Sequence, residues 1–345
     1  MKHKIIMLVL PVILIVSLAL VGCAKPAAPE AIELNYQIAL AYHPGDYNTD
    51  VVLKLAELCE SYTGGRLKLK LYYPGDIYPT YTDMAVAVEA GEADLTFVSS
   101  IVLETLGVPE VAISAVPYPG ADMQTRINHQ RQWWTQEPSG PKIQKLVEAQ
   151  GVKWLDIVLN GPTVIVLNTE AMTKEEWSKL KLRSPNMDIY LLMSESTGAH
   201  AVPLAYSEVP MALKTGVVDG LLTGQVSYEA DRLWEDGADC FPINLVFMAT
   251  CYSNFINLES WQKLPPDIQQ IITEKIMPEL DTWADKRNAQ AIADGLKVIE
   301  ENAVVYELSS SRLAEIREAL VQTLHPKYQE LDPELYNAFK EIAGF

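Results

Sequence analysis

The sequence predicts an α/β protein built from two lobes. Patterns typical of strands and helices alternate along the chain, which is how α/β layers with parallel strands are encoded. About 320 residues follow the amino-terminal segment, a length that favours two lobes over one compact unit. The chain is 49% hydrophobic with a mean hydropathy of +0.04, so it holds enough apolar material for real cores.

The amino terminus predicts export and a lipid anchor. The basic start Met1–Lys4 precedes an apolar run from Ile5 to about Val21, which is typical of an export signal. The run ends in Leu20-Val21-Gly22-Cys23, which resembles the lipobox of bacterial lipoproteins, where the cysteine is acylated. We expect a signal peptide over 1–22 and a lipidated tether over 23–32. An uncleaved membrane anchor is the alternative, because the run approaches the roughly 20 residues that span a bilayer.

Strand and helix patterns alternate through the first half. Apolar and polar residues alternate strictly in Leu67–Tyr72, which predicts a strand with one solvent-exposed face. Thr49–Tyr62 carries its apolar residues on one side, which predicts a helix. The other elements expected here are strands at Leu34–Leu40, Leu95–Val98 and Trp154–Leu159, a helix at Thr80–Ala90, and a broken helical region from about Asp122 to Gln150.

The second half begins with a strand that crosses into the second lobe, at Val164–Leu167 after Asn160-Gly161-Pro162. Thr173–Glu176 is a capping-box signature for a helix. Strands are expected at Leu180–Arg183, His200–Pro203 and Phe247–Asn257, the last returning to the first lobe, and helices at Asp188–Ser196 and Ser207–Thr215. Pro265-Pro266-Asp267 starts a long helical region to about Asn302, which Pro278 should kink.

The net charge and the cysteine content argue against two classes of protein, nucleic-acid-binding proteins and disulfide-rich scaffolds. A net charge of −18 makes the protein a poor candidate for nucleic acid, which requires a basic surface. An anionic ligand would therefore need local cations, since distant charges are screened. Cys59, Cys240 and Cys251 do not form a disulfide scaffold. Cys59 lies on an apolar helix face and is expected to be a buried thiol, and a bond between Cys240 and Cys251 is left open.

No motif predicts catalysis. The chain lacks a His-Glu-x-x-His pair, a Gly-rich phosphate loop and a nucleophile elbow. The histidines that follow the signal segment are widely scattered, at His43, His129, His200 and His325. We therefore expect a protein that is not an enzyme and has no cofactor or metal site.

Arg183 is the strongest candidate for ligand binding. It stands at the carboxyl end of a predicted strand, where Lys181 and Arg183 share one face. A guanidinium that faces a cleft can hold a carboxylate through two parallel hydrogen bonds. The alternative is a surface arginine that pairs with Glu175 or Glu176.

The stretch from Thr173 to Gly220 resembles the substrate-binding subunits of TRAP transporters (tripartite ATP-independent periplasmic transporters). The matching segments are Leu180–Asn186, Pro203–Val209 and Ala212–Gly220, with weaker matches at Thr63–Leu67, Ala90–Asp94 and Trp261–Pro265. The resemblance implies a two-lobed fold like that of type II periplasmic binding proteins, with the long kinked helix running across both lobes. Lobe I would comprise 33–160 and 250–288, and lobe II 161–249 and 289–345.

The resemblance also implies site residues. The arginine matching Arg183 binds the ligand carboxylate in this family, the position of Tyr206 usually carries an aromatic that lines the cleft, and Thr223 stands where many members bond the carboxylate through an asparagine. The alternatives are a core aromatic for Tyr206 and a turn threonine for Thr223. Sialic-acid-binding relatives place a second arginine after the Asn-Gly of the crossing strand, where this chain has Asn160-Gly161-Pro162-Thr163. Thr163 or its neighbours stand instead, which favours a monocarboxylate held chiefly by Arg183.

Three further residues are weaker candidates for the cleft. Tyr42 and His43 belong to an aromatic, hydrogen-bonding loop after the first strand, where the cleft of such a fold lies. Trp154 is a candidate too, although core packing is the favoured interpretation for it. An aromatic or bulky apolar acid is the hypothesis that these residues suggest.

The function that the resemblance implies is that of an extracytoplasmic solute-binding protein, lipid-anchored to a membrane and exposed on its periplasmic or extracytoplasmic face. It would capture a small organic acid, a mono- or dicarboxylate, and deliver it to the membrane subunits of an ion-driven transporter. The alternatives are a ligand-sensing lipoprotein that signals to a receptor, and the binding protein of an ATP-driven importer.

Overall fold

Strands of both halves of the chain join in one mixed sheet. The structure is a computed structural model that describes residues 31–38, 47–72, 78, 80–117 and 122–344. Within these residues the strands are β1 (Ile32–Ile38), β2 (Leu67–Tyr72), β3 (Leu95–Ser99), β4 (Val152–Trp154), β5 (Val158–Leu167), β6 (Lys181–Ser184), β7 (His200–Pro203), β8 (Gly220–Gly224), β9 (Cys240–Pro242), β10 (Val246–Asn257) and β11 (Val304–Tyr306). The main path of the sheet runs β2-β1-β3-β10-β5-β8-β6-β7.

Helices cover the sheet. They are α1 (Tyr47–Thr63), α2 (Tyr81–Glu89), α3 (Met123–Thr135), α4 (Ser139–Ala149), α5 (Lys174–Trp177), α6 (Asp188–Ser196), α7 (Val209–Lys214), α8 (Gln225–Ala230), α9 (Leu258–Lys263), α10 (Pro266–Ile271), α11 (Met277–Asn302), α12 (Ser310–Leu331) and α13 (Pro333–Ala343). Short 3-10 turns lie at Ser100–Leu106, Pro109–Ala115, Tyr206–Glu208 and Leu233–Asp236.

Two long antiparallel strands, β5 and β10, join the parallel parts of the sheet. On one side β10 pairs with β3, which is parallel to β1; on the other side β5 pairs with β8, which is parallel to β6. The crossing strand predicted at Val164–Leu167 and the returning strand predicted at Phe247–Asn257 are confirmed as parts of this pair. Glu33–Phe345 form one compact unit, and the predicted boundaries of the two lobes stay a prediction.

The packing explains why the second half of β5, Val164–Leu167, is continuously apolar. Ile165 and Leu167 belong to a large core that also contains Trp133, Trp134 and Phe339. Val164 and Val166 point to a second core, around Tyr228 and Phe241. Because successive side chains of a strand point to opposite faces, a strand buried on both faces loses its polar alternation.

One predicted strand is wrong. Trp154–Leu159 is not continuous, because β4 ends at Trp154 and β5 begins at Val158. The carboxylate of Asp156, between them, accepts hydrogen bonds from the backbone N and from Nδ2 of Asn254, each at 2.7 Å. The backbone amide of Asn254 on β10 thus bonds a side chain instead of a backbone carbonyl. The backbone hydrogen-bond ladder to β10 is therefore interrupted between β4 and β5.

The predicted capping box is confirmed, although its helix is short. Thr173 Oγ1 accepts a hydrogen bond from the backbone N of Glu176 at 3.3 Å, and Glu176 Oε2 accepts one from the backbone N of Thr173 at 2.9 Å. These bonds satisfy amides at the start of α5, which ends after a single turn at Trp177.

The long helical region is confirmed from Pro266 to Asn302, with an irregular step. A π segment, Ile272–Ile276, separates α10 from α11 immediately before Pro278. Proline has no amide hydrogen to donate into the preceding turn, so the hydrogen-bond pattern must shift there. The predicted kink at Pro278 stays a prediction, and the structure shows a π segment that ends two residues before this proline.

Cys59, Cys240 and Cys251 are buried free thiols, so Cys240 and Cys251 are not bonded to each other. Burial raises the pKa of the Cys59 thiol to about 12. Among the described helices, none combines the length and the apolar character needed to cross a membrane. The predicted signal peptide, most of the tether with Cys23, and the loop residues Tyr42 and His43 lie outside the described residues.

Candidate functional site

A small cavity of about 40 Å³ lies between the carboxyl ends of β6 and β8 and the middle of β10. Its described wall consists mainly of hydroxyl-bearing and apolar side chains around one arginine: Tyr81, Ser99, Thr163, Arg183, Pro185, Met187, Tyr190, Tyr206, Leu222, Thr223, Gly224, Ser227, Thr250 and Tyr252. No other charged residue belongs to this described wall. The structure thus brings together four predicted site residues: Arg183, Tyr206, Thr223 and Thr163.

Arg183 reaches the cavity because of its place in the sheet. β6 lies between β7 and β8 and is parallel to both. Lys181, on the same face at the start of β6, is exposed and donates to the carbonyl oxygen of Gly216. Arg183, nearer the carboxyl end, is only 4% exposed. The carboxyl ends of parallel strands are where open α/β sheets bind ligands.

The guanidinium of Arg183 is only partly engaged. Its Nε donates to the carbonyl oxygen of Leu204 at 2.9 Å and its Nη1 to that of Leu222 at 3.4 Å. It forms no salt bridge with any carboxylate in the described part of the chain. The alternative of a surface pair is wrong, because Glu175 pairs with Lys179 and Glu176 caps α5.

Four tyrosines surround this cation. The ring of Tyr206 lies 5.3 Å from Arg183 Cζ, a cation–π distance, and its hydroxyl donates to Asp231 Oδ2 at 2.7 Å. The hydroxyls of Tyr81 and Tyr252 are 3.2 Å apart, and that of Tyr190 is 3.3 Å from Ser99 Oγ. Burial raises the pKa of each phenol, that of Tyr190 to about 12. The tyrosines therefore stay neutral at physiological pH and can donate O–H groups.

The electrostatics of the cavity favour an anion. Burial lowers the pKa of Arg183, yet a guanidinium remains charged in proteins. A buried charge without a counter-charge is costly, and an opposite charge with good hydrogen bonds offsets that cost. The cavity wall supplies no such counter-charge in its described residues, so the cavity is electrostatically suited to an anion.

The threonines add neutral hydrogen-bonding groups. Thr163 Oγ1 and Thr250 Oγ1 are 2.6 Å apart. Thr223 lies within strand β8, paired with Val164, so its interpretation as a turn threonine is wrong. Tyr206 both lines the cavity and packs against the second core, so its two interpretations are compatible.

Two other predicted site residues are not on the described wall. Trp154 stacks on Trp134 at 5.0 Å between ring centroids, and its Nε1 donates to Ser253 Oγ at 3.1 Å, which places it in the core. Asn160 is fully buried outside the wall.

Four residues of the wall were not predicted from the sequence: Tyr81, Tyr190, Tyr252 and Thr250. Tyr81 begins α2, Tyr190 lies on α6, and Thr250 and Tyr252 lie on β10. These elements are distant along the chain, so only the fold brings the four residues together. One signal was available: Thr250 and Tyr252 alternate within the otherwise mostly apolar run of β10.

Comparisons with known proteins agree with this architecture. Residues 41–331 match the model of the DctP family, described as bacterial extracellular solute-binding protein, family 7. The C4-dicarboxylate-binding periplasmic protein DctP of Rhodobacter capsulatus is 25% identical over 308 residues, which cover 89% of this chain and 88% of that protein.

Two solved structures are similar along almost their whole length. A TRAP periplasmic solute-binding protein from Desulfovibrio salexigens with bound orotic acid has a TM-score of 0.78 at 20% identity, covering 90% of this chain and 98% of that one. The sugar acid binding protein DctPAm from Advenella mimigardefordensis, in complex with galactonate, has a TM-score of 0.79 at 20% identity, covering 91% and 98%. These matches confirm the predicted two-lobed fold and the resemblance to TRAP solute-binding subunits. The chain belongs to the DctP family, family 7 of the bacterial extracellular solute-binding proteins.

Proposed function

We propose that this protein captures a small monocarboxylate, binds its carboxylate through Arg183, and delivers it to the membrane subunits of a TRAP-type transporter. The observation that carries the proposal is a guanidinium that is 4% exposed and has no salt-bridge partner in the described chain. A carboxylate supplies both the missing negative charge and acceptors in the plane of the guanidinium.

The rest of the wall supports a single carboxylate. Arg183 is the only cation on its described part, and Thr163 stands where sialic-acid-binding relatives are expected to carry a second arginine. Thr163, Thr223 and the four tyrosines offer neutral hydroxyls, which suit a hydroxyl, oxo or aromatic body. A second carboxylate buried here would lack a counter-charge, which makes a dicarboxylate unfavourable.

The similar proteins favour the same ligand class. The relative from Rhodobacter capsulatus is named for C4-dicarboxylates, and the two similar structures hold orotic acid and galactonate. All of these ligands carry a carboxylate, although they differ in the rest of the molecule. The common group is the one that Arg183 is placed to bind.

The proposal extends to the setting of the protein. Cys23 carries the lipid anchor after removal of 1–22, so the protein stays at a membrane on its extracytoplasmic face. The lobes, 33–160 with 250–288 and 161–249 with 289–345, close on the ligand and bring Arg183 into full contact with its carboxylate. The bound acid is released unchanged, so the protein is a carrier and not an enzyme.

A thermal-shift screen tests this proposal. The soluble chain beginning at Ala24 is mixed with small aliphatic and aromatic monocarboxylates, dicarboxylates, sugars, amines and peptides. A ligand that binds only the native state raises the melting temperature. We expect monocarboxylates to raise it and to be recovered unchanged after incubation. A shift by sugars, amines or peptides alone would refute the role of Arg183, and conversion of the acid would refute the role of a carrier.

A further inference from the structure

Two buried asparagines outside the ligand cavity have unused hydrogen-bonding groups. Asn160 on β5 and Asn288 on α11 are both 0% exposed. The Oδ1 and Nδ2 atoms of both side chains are buried and have no hydrogen-bond partner in the described part of the chain. A buried polar group left without a partner costs roughly 1–3 kcal/mol, so four such atoms would not be tolerated without compensation.

The contacts on either side place the two asparagines opposite each other. The hydroxyl of Tyr47 donates to the carbonyl oxygen of Leu159 at 2.6 Å and is 3.4 Å from that of Ala284. A Cβ built on Gly161 would lie 3.6 Å from Cγ1 of Ile292. These contacts join the neighbours of Asn160 to residues one turn before and one turn after Asn288. Residues one helical turn apart share a face, so Asn288 faces the strand at Asn160.

Strand β5 and the helices α8 and α11 approach one another closely beside the two asparagines. Gly161 has a φ of +71°, and a Cβ built there would lie 3.0 Å from Cγ2 of Val226, so the strand approaches α8 closely at this point. Gln225 Nε2 donates to the carbonyl oxygen of Ile292 at 3.1 Å, which closes the gap between α8 and α11. Gln225 is thereby occupied by the backbone and does not serve the asparagines. The unmet groups are amide donors and carbonyl acceptors in equal number.

We propose that Asn160 and Asn288 form an internal site that binds one or two ordered water molecules between β5 and α11. Water is the ligand that both donates and accepts, and buried waters typically make about three hydrogen bonds to groups that lack other partners. A cation would satisfy only the two carbonyl oxygens and leave both NH₂ groups unmet. The site lies outside the ligand cavity and is independent of the proposed transport function.

The direct test is a crystal structure of the ligand-free chain beginning at Ala24, at about 1.5 Å resolution or better. We expect a water peak within 2.7–3.2 Å of polar atoms of both Asn160 and Asn288. A direct amide–amide contact without a water peak would overturn the proposal. A peak with five or six oxygen neighbours near 2.4 Å would identify a cation and overturn it equally.

A double-mutant cycle gives a second test in solution. Asn160→Leu and Asn288→Leu each leave the other amide and the shared water without a hydrogen-bond partner. Each variant should therefore have a melting temperature lower by about 2–6 °C. The double variant removes every unmet group, so its loss should be smaller than the sum of the two single losses. Additive losses would overturn a shared site. Asn128→Leu, on the exposed face of α3, is the matched control and should shift the melting temperature by less than about 1 °C.

Discussion

Replacement of Arg183 by methionine should separate ligand binding from stability. Methionine keeps much of the length of the side chain and removes the charge and the hydrogen-bond donors. Each charge-assisted hydrogen bond to a carboxylate contributes about 1.5–3 kcal/mol. Loss of two such bonds therefore weakens binding by about 3 kcal/mol or more, which corresponds to more than a hundredfold increase in Kd.

The ligand-free protein should respond differently to Arg183→Met. The carbonyl oxygens of Leu204 and Leu222 lose their donor, which costs roughly 0.5–1.5 kcal/mol each. The variant also removes a buried charge without a salt-bridge partner in the described chain, which offsets this cost. We expect its melting temperature to stay within about 3 °C of the parent protein.

Isothermal titration calorimetry with an acid from the screen measures the first effect, and calorimetric melting measures the second. Arg66→Met is the matched control, because Arg66 forms an exposed pair with Asp267 and should leave Kd unchanged. Arg183→Lys keeps the charge and loses the planar fork, so its Kd should lie between those of the parent and Arg183→Met. The reasoning is refuted if Arg183→Met binds the acid within threefold of the parent.

Three further predictions follow from the described contacts. Tyr206→Phe should change Kd by less than threefold because the ring remains over Arg183, whereas Tyr206→Ala should weaken binding about tenfold in the same titration; equal effects of the two variants would contradict this. Burial and Asp188 raise the pKa of the Glu104 carboxyl to about 7. The unfolded chain loses this proton at a lower pH than the folded protein, so the unfolding free energy should fall as pH rises from about 4.5 to 7. Glutamine cannot ionise, so Glu104→Gln should remove this loss of stability. In urea titrations the variant should be about 2 kcal/mol more stable than the parent at pH 8 and about equally stable at pH 4. Equal stability of the two proteins at pH 8 would contradict this prediction. The three buried thiols should react with a thiol reagent only in denaturant: Cys59, Cys240 and Cys251. The chain that begins at Ala24 should then give three reactive thiols per molecule. A count of one reactive thiol would indicate a disulfide between the other two.

Local sequence patterns predicted most of the individual elements. The alternation of Leu67–Tyr72 and the apolar side of Thr49–Tyr62 correspond to β2 and α1. These patterns are local, because strand and helix periods depend on residues a few positions apart. The error at Trp154–Leu159 arose from a distant partner: Asp156 bonds Asn254, which lies on β10 nearly one hundred residues later.

The site was predictable only in part. Arg183 could be singled out because its place at a strand end before Ser184-Pro185 is visible in the sequence, and the resemblance added Tyr206, Thr223 and Thr163. Its burial was not visible, since Lys181 shares its face and is exposed. The difference comes from the position of β6 between β7 and β8, with the Tyr206 ring over its carboxyl end. That position is set by tertiary contacts, and so is the gathering of the four tyrosines.

A crystal structure of the protein with a bound monocarboxylate tests the central claim most directly. We predict that both oxygens of the ligand carboxylate lie within about 2.7–2.9 Å of guanidinium nitrogens of Arg183, with the Tyr206 ring still against the guanidinium. A carboxylate bound elsewhere, or a ligand in this cavity that leaves Arg183 without a negative partner, would contradict the account.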